Sequence, residues 1–437
     1  VLFTDNSVGG GNEISNWEWT FEGGSPSNYS GQNPPEISYS TIGSYDVTLE
    51  VTNSQSTQSL TKNGFIVVSE EPTGVWISQN SSFPNTSTGI RNISIVDENI
   101  VWATGYDGSG NGENFQVFTK TTNGGSTWNS GTINLGDTDL GIAMICAISS
   151  TTAWAVGYPR VSGDIGGIWK TTNGGITWNR QDSASYNSSG SFSNVVHFWD
   201  ENYGFAQGDP IGGEYELYVT SNGGDNWEAV PGSNIPNPGG GEYGYVGQIE
   251  IVGDNVWYTT NSTTLYHSTD KGNNWVAYQC PVDDFDGDAM SFSDENNGII
   301  ISGTNVFRTY DSGENWTQIN PTGPVYNIGV SYIEGTDTIF STSQAGSSQS
   351  FDGGFTWNPI DNETFLGVEF INSTTGWAGS FNGDLAGGIW KWSDFSLSNN
   401  EIIEENNLLI YPNPSASIIN IKSNGNVTSI IYDLSLI

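Results

Sequence analysis

The stretch Thr121-Thr122-Asn123-Gly124-Gly125-Ser126-Thr127-Trp128 recurs along the chain as Thr171–Trp178 (TTNGGITW), Thr220–Trp227 (TSNGGDNW), Ser268–Trp275 (STDKGNNW), Thr309–Trp316 (TYDSGENW) and Ser350–Trp357 (SFDGGFTW). All six copies fit Ser/Thr-x-Asp/Asn-x-Gly-x-Thr/Asn-Trp. This is the chemistry of a strand-joining turn. The Asp or Asn folds back onto nearby backbone N–H groups, and the fixed glycine supplies a positive φ. The tryptophan then anchors the returning strand in a core. On this reading Asn123, Asn173, Asn222, Asp270, Asp311 and Asp352 are structural rather than ligand-binding.

The tryptophans of the six turns fall at 128, 178, 227, 275, 316 and 357, spacings of 50, 49, 48, 41 and 41 residues. That is the length of one four-stranded propeller blade. Between turns a second theme returns, an apolar strand followed by a small-residue strand such as Val101-Trp102-Ala103-Thr104-Gly105 or Ala153-Trp154-Ala155-Val156-Gly157. The turn motif resembles the Asp-box, or BNR repeat, of sialidase-like β-propellers, which implies an all-β fold with one box per blade. The ends imply a seventh blade. Residues 367–371, 376–380 and Gly388-Ile389-Trp390-Lys391 read as its first three strands, the last matching Gly167-Ile168-Trp169-Lys170. No box follows, and Gly74-Val75-Trp76-Ile77-Ser78-Gln79 resembles the strands that follow boxes, such as Trp178-Asn179-Arg180-Gln181. The expectation is a ring of seven blades over residues 74–392, closed by the N-terminal strand, so that no sheet edge is left open. Six blades with flanking irregular strands is the alternative.

Residues 1–70 read as a separate β unit, because Tyr45, Val47, Leu49 and Val51 alternate with polar residues. Phe3-Thr4-Asp5-Asn6-Ser7, Trp17-Glu18-Trp19-Thr20-Phe21-Glu22-Gly23-Gly24 and Gly43-Ser44-Tyr45-Asp46-Val47 make it similar to a PKD domain, an immunoglobulin-like sandwich. The commoner family form has a second acid where Glu22-Gly23-Gly24 stands. The first strand of such a domain would lie upstream of Val1. After Trp392 a polar, acidic linker (393–407) leads to residues 408–437. There Leu408-Leu409-Ile410-Tyr411-Pro412-Asn413-Pro414-Ser415 and Ile430-Ile431-Tyr432-Asp433-Leu434 resemble the sorting domain of the type IX secretion system of Bacteroidetes. The resemblance implies export by that machinery and a secreted or surface-attached protein; a plain small β domain is the other reading.

With 48 acids against 10 bases the formal charge is −38, which repels phosphate backbones and anionic membrane surfaces. Nucleic acid is excluded as a partner. No run of 18 apolar residues occurs, so no membrane insertion is expected. Cys146 falls in an innermost strand and Cys280 beyond an outer strand two blades on, too far apart for a bridge. Both are expected to be isolated thiols.

In a propeller the ligand site usually lies over the central channel. The face concerned, called here the upper face, is built by the loops entering each innermost strand and the loops joining second to third strands. Sialidases hold their substrate's carboxylate with three arginines, because a guanidinium matches a carboxylate in two bonds. This chain has four arginines; Arg180 and Arg308 adjoin boxes, leaving Arg91 and Arg160 to face the channel. Sialidase activity is therefore disfavoured, and the same shortage argues against the role of the photosystem assembly factors that the repeats also resemble. Acids are plentiful instead. Pro281-Val282-Asp283-Asp284-Phe285-Asp286-Gly287-Asp288 sets Asp283, Asp284, Asp286 and Asp288 in one loop, with enough hard oxygen to ligate Ca²⁺. A solvated acidic loop, a Ca²⁺ site and catalytic carboxylates all remain open there.

Aromatic residues are the other signal. Tyr186, Phe192, Tyr243, Tyr245, Phe285, Tyr326 and Phe365 all precede innermost strands. Such rings stack on sugar faces, or else plug their loops against the blades. His197 and His267 read as strand residues. The expectation is a secreted or cell-surface binding protein for extracellular polysaccharides or glycoconjugates. A glycoside hydrolase using loop carboxylates and an adhesion or filament component are the alternatives.

Overall fold

The computed structural model describes residues 1–9, 11–39, 43–68, 74–188, 190–283, 285, 289–383, 385–394, 409–411 and 420–422. Among these residues every regular element is a β-strand apart from one 3-10 turn at Gly232–Asn234. The chain divides into two compact units, of which the larger runs from Pro72 to Leu397.

In the smaller unit, strands Ile14–Phe21, Asn28–Ser30, Gly43–Asn53 and Thr57–Val68 form one antiparallel sheet. The central strand carries Trp19 and Phe21 on one face, stacked 5.7 Å apart, and these gather Phe3, Ile37, Val47 and Ile66 into a core. Tyr45 and Leu49 pack on the same cluster, as their alternation along the strand requires. Of the segment that resembles a sorting domain, the described residues supply only the paired strands Leu409–Tyr411 and Asn420–Lys422. The rest of it, and linker residues 395–407, lie outside the described residues.

The larger unit is a succession of four-stranded antiparallel sheets. Five are separate, and their innermost strands are Leu140–Ala147, Ser193–Phe198, Glu250–Val252, Ala289–Phe292 and Gly329–Tyr332. An eight-stranded sheet holds the two ends. In it the strands from Thr88–Ile95 to Asn129–Thr132 meet those from Gly367–Asn372 onward through a single pair, Phe381 with Gly89. The last blade is completed by Gly74–Asn80, which pairs with Gly387–Asp394 from Asn80–Gly388 through to Gly74–Asp394.

Each of the six repeated turns closes in the same way. In the first, the Thr121 hydroxyl donates to Asn123 Oδ1 (3.0 Å), the Gly125 N–H donates back to that hydroxyl (2.9 Å), and the Thr127 N–H donates to Asn123 Oδ1 (2.9 Å). The other five keep these three bonds. The fifth position has φ between 83° and 93° throughout, which explains why it is always glycine.

Blades are joined by two layers of contacts. Second-strand aromatics stack on the innermost strand of the following blade, as in Trp154 on Phe198 (3.5 Å), Trp257 on Phe292 (4.0 Å) and Phe340 on Phe370 (4.0 Å). One register step outward, the third-strand residue paired with that second-strand position lies over it. Lys120, Lys170 and Lys391 sit over Trp102, Trp154 and Trp377 and donate to the carbonyls of Gly174, Gly223 and Gly124 in the neighbouring turn. His267 takes this place on Trp257, with rings 4.6 Å apart, and so is a strand residue as expected.

Candidate functional site

The upper face is built by the loops before innermost strands, and it sorts the predicted aromatics sharply. Tyr186, Phe285 and Phe365 are 1%, 2% and 0% exposed, so they plug their loops against the blades. For Tyr186 and Phe285 this corrects the expectation of ligand contact. Tyr186 reaches the core because its backbone adopts φ 36°, turning the ring onto Tyr218. Phe285 joins Trp257, Cys280 and Phe292 in a core cluster. Phe192 is half-buried and stacked on Tyr158, and Tyr326 is half-buried.

Tyr243 behaves differently, being 45% exposed at the tip of its loop with its ring edge-on to the half-buried Tyr245 at 5.8 Å. The loop beneath it is held by side chains. The Tyr243 N–H donates to Asn261 Oδ1 (2.8 Å), the Gly244 N–H to Asp209 Oδ1 (3.1 Å), and the Thr260 hydroxyl to Glu242 Oε1 (2.7 Å). Asn194 donates to the same Asp209 oxygen (2.7 Å). Burial pushes the Asp209 carboxyl up to about 6, and the bonds from Asn194 and Gly244 only partly offset it. The acids here are thus committed to shaping the loop, leaving the Tyr243 ring as its presented surface.

Arg91 and Arg160 are both exposed. Arg160 donates to the Gly112 carbonyl (3.1 Å), while Arg91 lines the channel with its guanidinium 5.2 Å from the Tyr106 ring centre. Of the acidic loop, Asp283 is exposed, and Asp284, Asp286 and Asp288 lie outside the described residues. Among the described residues no group of three or more His, Cys, Asp or Glu is placed to hold a metal ion.

The channel itself is a cavity of about 520 Å³. Register places one residue from each innermost strand at the same level, each opposite the second-strand position that carries the buried aromatic or aliphatic. These residues are Ser94, Cys146, His197, Glu250, Ser291, Ser331 and Glu369, paired with Trp102, Trp154, Phe205, Trp257, Ile299, Phe340 and Trp377. The level lies near the turn from first to second strand, on the face of the repeated turns and away from the upper face.

Five of these residues accept a backbone N–H from the next innermost strand: Ser94 from Ala147, Cys146 from Phe198, Glu250 from Phe292, Ser291 from Tyr332 and Ser331 from Phe370. His197 instead rests edge-on against Trp199. Burial, then the Lys271 charge, pushes its imidazole down to about 4, so it stays neutral. Burial lifts the Glu250 carboxyl to about 7 against the bonds from Phe292 and Ser291. Glu369 is exposed to the channel. Loss of bulk hydration, and then the Glu250 charge, pushes it up to about 8. Cys146 and Cys280 are buried and are not joined in a disulfide.

These two glutamates are the functional candidates that sequence reasoning passed over. Their signal is an acid between apolar neighbours in an innermost strand, Ile249-Glu250-Ile251 and Val368-Glu369-Phe370. It becomes legible only once the register is known.

Residues 2–63 match the PKD domain, so the class of molecule is an all-β protein with an N-terminal PKD domain and four-stranded sheets arranged as a propeller. Among solved structures the chain is similar to YCF48 bound to D1 peptide, with a TM-score of 0.54, 17% identity, and 75% of this chain and 98% of that chain covered. It is also similar to YCF48 from Cyanidioschyzon merolae, with a TM-score of 0.52, 17% identity, and 73% and 99% covered. At that identity the likeness speaks for the fold alone. No curated protein matches this sequence. Among the described residues no helix is long and apolar enough to cross a membrane.

Proposed function

We propose that this chain is a secreted or surface-displayed binding protein for an extracellular polymer, with a glycan as the leading ligand class and the upper face of the propeller as the binding surface. The reading takes the repeated turns as Asp-boxes, the ring as seven blades and the C-terminal segment as a type IX sorting domain. The observation that carries it is Tyr243, an exposed ring on a loop fixed by Asn261, Asp209 and Glu242. A preorganised aromatic loses little entropy when it stacks on a sugar face. PKD domains are at home outside the cell, and this one is suited to act as spacer or auxiliary binder.

The shortage of bases fits a neutral ligand. Lys120, Lys170 and Lys391 are occupied between blades, leaving Arg91 and Arg160 as the predicted basic contacts. Calcium at the Asp283 loop belongs to the same proposal as an auxiliary ligand. A glycoside hydrolase is the second reading, favoured by the placement of Glu250 and Glu369 in one channel.

The test is depletion on a panel of insoluble polysaccharides plus a glycan array, with and without Ca²⁺, for the wild type and Tyr243→Ala. Retention on at least one polymer is expected, weakened about tenfold in the variant, as loss of one stacking contact implies. Release of sugar by the wild type would replace the binding reading with the hydrolase, and failure to bind any polymer would sink both.

A further inference from the structure

We infer that the seam between the fifth and sixth repeated turns is a binding site for a single carboxylate carried on a ring, such as that of a hexuronic acid. Arg308, Tyr310, Tyr332 and Phe355 build the site. It lies on the face of the repeated turns, away from the Tyr243 loop, and stands independently of the upper-face reading.

Three observations lead there. The first is a break in the repeat. At three other seams a lysine lies over a second-strand tryptophan and donates to a carbonyl of the neighbouring turn. At this seam the second-strand residue is Ile299, and Arg308 takes the lysine's place. Its guanidinium packs against the backbone of Gly353, where a Cβ would collide with Nη1. Yet among the described residues it donates to no carbonyl and joins no ion pair. Arg308 is 4% exposed, and its Nε–H is sealed from solvent without an acceptor. A buried charged donor left unpaired is costly, and a ligand oxygen would relieve that cost.

The second is a further donor at the same seam. The Tyr332 hydroxyl, on a side chain that is also 4% exposed, is likewise sealed and unpaired. Burial keeps this phenol protonated, and Arg308 is the strongest of the charges acting on it. Both unpaired groups are therefore donors, and a guanidinium fork matches the two oxygens of a carboxylate. The chain's own acids do not fill the place. Asp294 is occupied by Ser293, Asn296 and Asn297, Asp311 and Asp352 close their turns, and Asp337 is exposed and forms no ion pair among the described residues.

The third is what flanks the guanidinium. Tyr310, in the fifth turn, and Phe355, in the sixth, are 57% and 43% exposed. Arg308 Cζ lies 4.7 Å from the centre of the first ring and 5.7 Å from that of the second. Two exposed rings thus converge on one cation. Such rings stack on the apolar face of a ligand ring while the guanidinium takes its acid group. The terminal nitrogens of Arg308, which are not sealed as Nε is, are where the acid meets the side chain. A chain of formal charge −38 repels a polyanion, so the match is to one acid group rather than to a densely charged polymer.

The experiment follows the arginine Nε–H signals of the ¹⁵N-labelled full chain by NMR. The sequence holds four arginines, so the set is sparse, and Arg308→Lys identifies the signal of Arg308. Lysine already occupies this place at three other seams, so the variant is expected to fold, and thermal melting checks it. The titrants are sodium glucuronate, its methyl ester and sodium sulfate. Glucuronate is expected to shift the Arg308 signal saturably, whereas the ester, which has lost the charge, leaves it in place. Calorimetry should show the glucuronate affinity falling about tenfold or more in Arg308→Lys, because an ammonium cannot reproduce the two-bond contact. In Tyr310→Ala it should fall about fivefold, with the loss of one ring contact. An unmoved Arg308 signal, an equal response to the ester or to sulfate, or an affinity unchanged in either variant would overturn the inference. Tyr243→Ala is expected to leave the Arg308 shift intact, and a shift lost in that variant would overturn it too. Polymer retention through Tyr243 does not involve Arg308, so failure here and failure of the upper-face reading are distinguishable.

Discussion

Six times the chain enters an outermost strand through the repeated turn, whereas Gly387–Asp394 is paired instead with a strand brought from the other end of the unit. The turn is a local device: eight residues make three side-chain bonds and deliver a tryptophan, as Thr171, Asn173 and Trp178 do. Closure of the last blade instead joins Gly74–Asn80 to Gly387–Asp394 along its whole length. Trp76 serves there as the turn tryptophans serve elsewhere, 6% exposed among Phe340, Phe365, Phe370 and Trp392, with its Nε1 donating to Ser347 Oγ (3.1 Å). Gln79 then reaches across the seam, its Oε1 accepting from Trp128 (3.0 Å) of the first turn and from Trp377 (3.4 Å). A ring built from interchangeable local closures therefore depends on one nonlocal closure to remove its free edges.

The strongest way to break this comparison is at the nonlocal closure. Trp76→Ala is expected to cost about 3–5 kcal/mol, the range for deleting a buried tryptophan. Urea unfolding followed by tryptophan fluorescence should show the whole propeller transition moving to lower denaturant. A local effect would instead leave the main transition in place and add a small early phase, and that result would show the seam to be dispensable.

A milder test removes one local closure. Thr171→Val keeps the shape but strips the hydroxyl that bonds Asn173 and Gly175, a fully buried position. The expected cost is about 1–2 kcal/mol, because the Gly175 N–H is left without its acceptor. Chemical denaturation gives the number, and a cost equal to that of Trp76→Ala would erase the distinction between local and nonlocal closure.

What could be read in advance follows the same division. The turns were legible because Ser/Thr, Asp/Asn, Gly and Trp each answer a short-range need, and the resemblance of Trp76–Gln79 to Trp178–Gln181 pointed to the closing strand. The site was less legible. Tyr186 and Tyr243 both precede innermost strands, yet one ring is in the core and the other is presented to solvent. The difference rests on φ at Tyr186 and on the support of Asn261, Asp209 and Glu242 beneath Tyr243, neither of which a loop sequence displays. Glu250 and Glu369 look like ordinary strand acids until pairing with Trp257 and Trp377 turns both toward the channel.

Those two acids offer the finest test, because Glu250 belongs to a turn-closed blade and Glu369 to the strand-closed one. Glu250 accepts from Phe292 and Ser291 (both 2.9 Å) and titrates at about 7, whereas Glu369 lacks such bonds and titrates at about 8. For each, the ordinary value is 4.5. Between about 4.5 and 8 the folded chain keeps the Glu369 proton while the unfolded chain has lost it. Folding then binds the extra proton, so stability falls as pH rises through that window and levels off on either side. Glu369→Gln cannot ionise and escapes this loss. Its melting temperature should match the wild type at acid pH and exceed it above neutrality, the gap opening up to about pH 8. Glu250→Gln should open a smaller gap that is complete by about pH 7, since its ionised form is already solvated by two donors. Coincident melting curves for wild type and Glu369→Gln across the whole range would mean that the channel hydrates this carboxylate as bulk water does, and the contrast between the two blades would vanish with it.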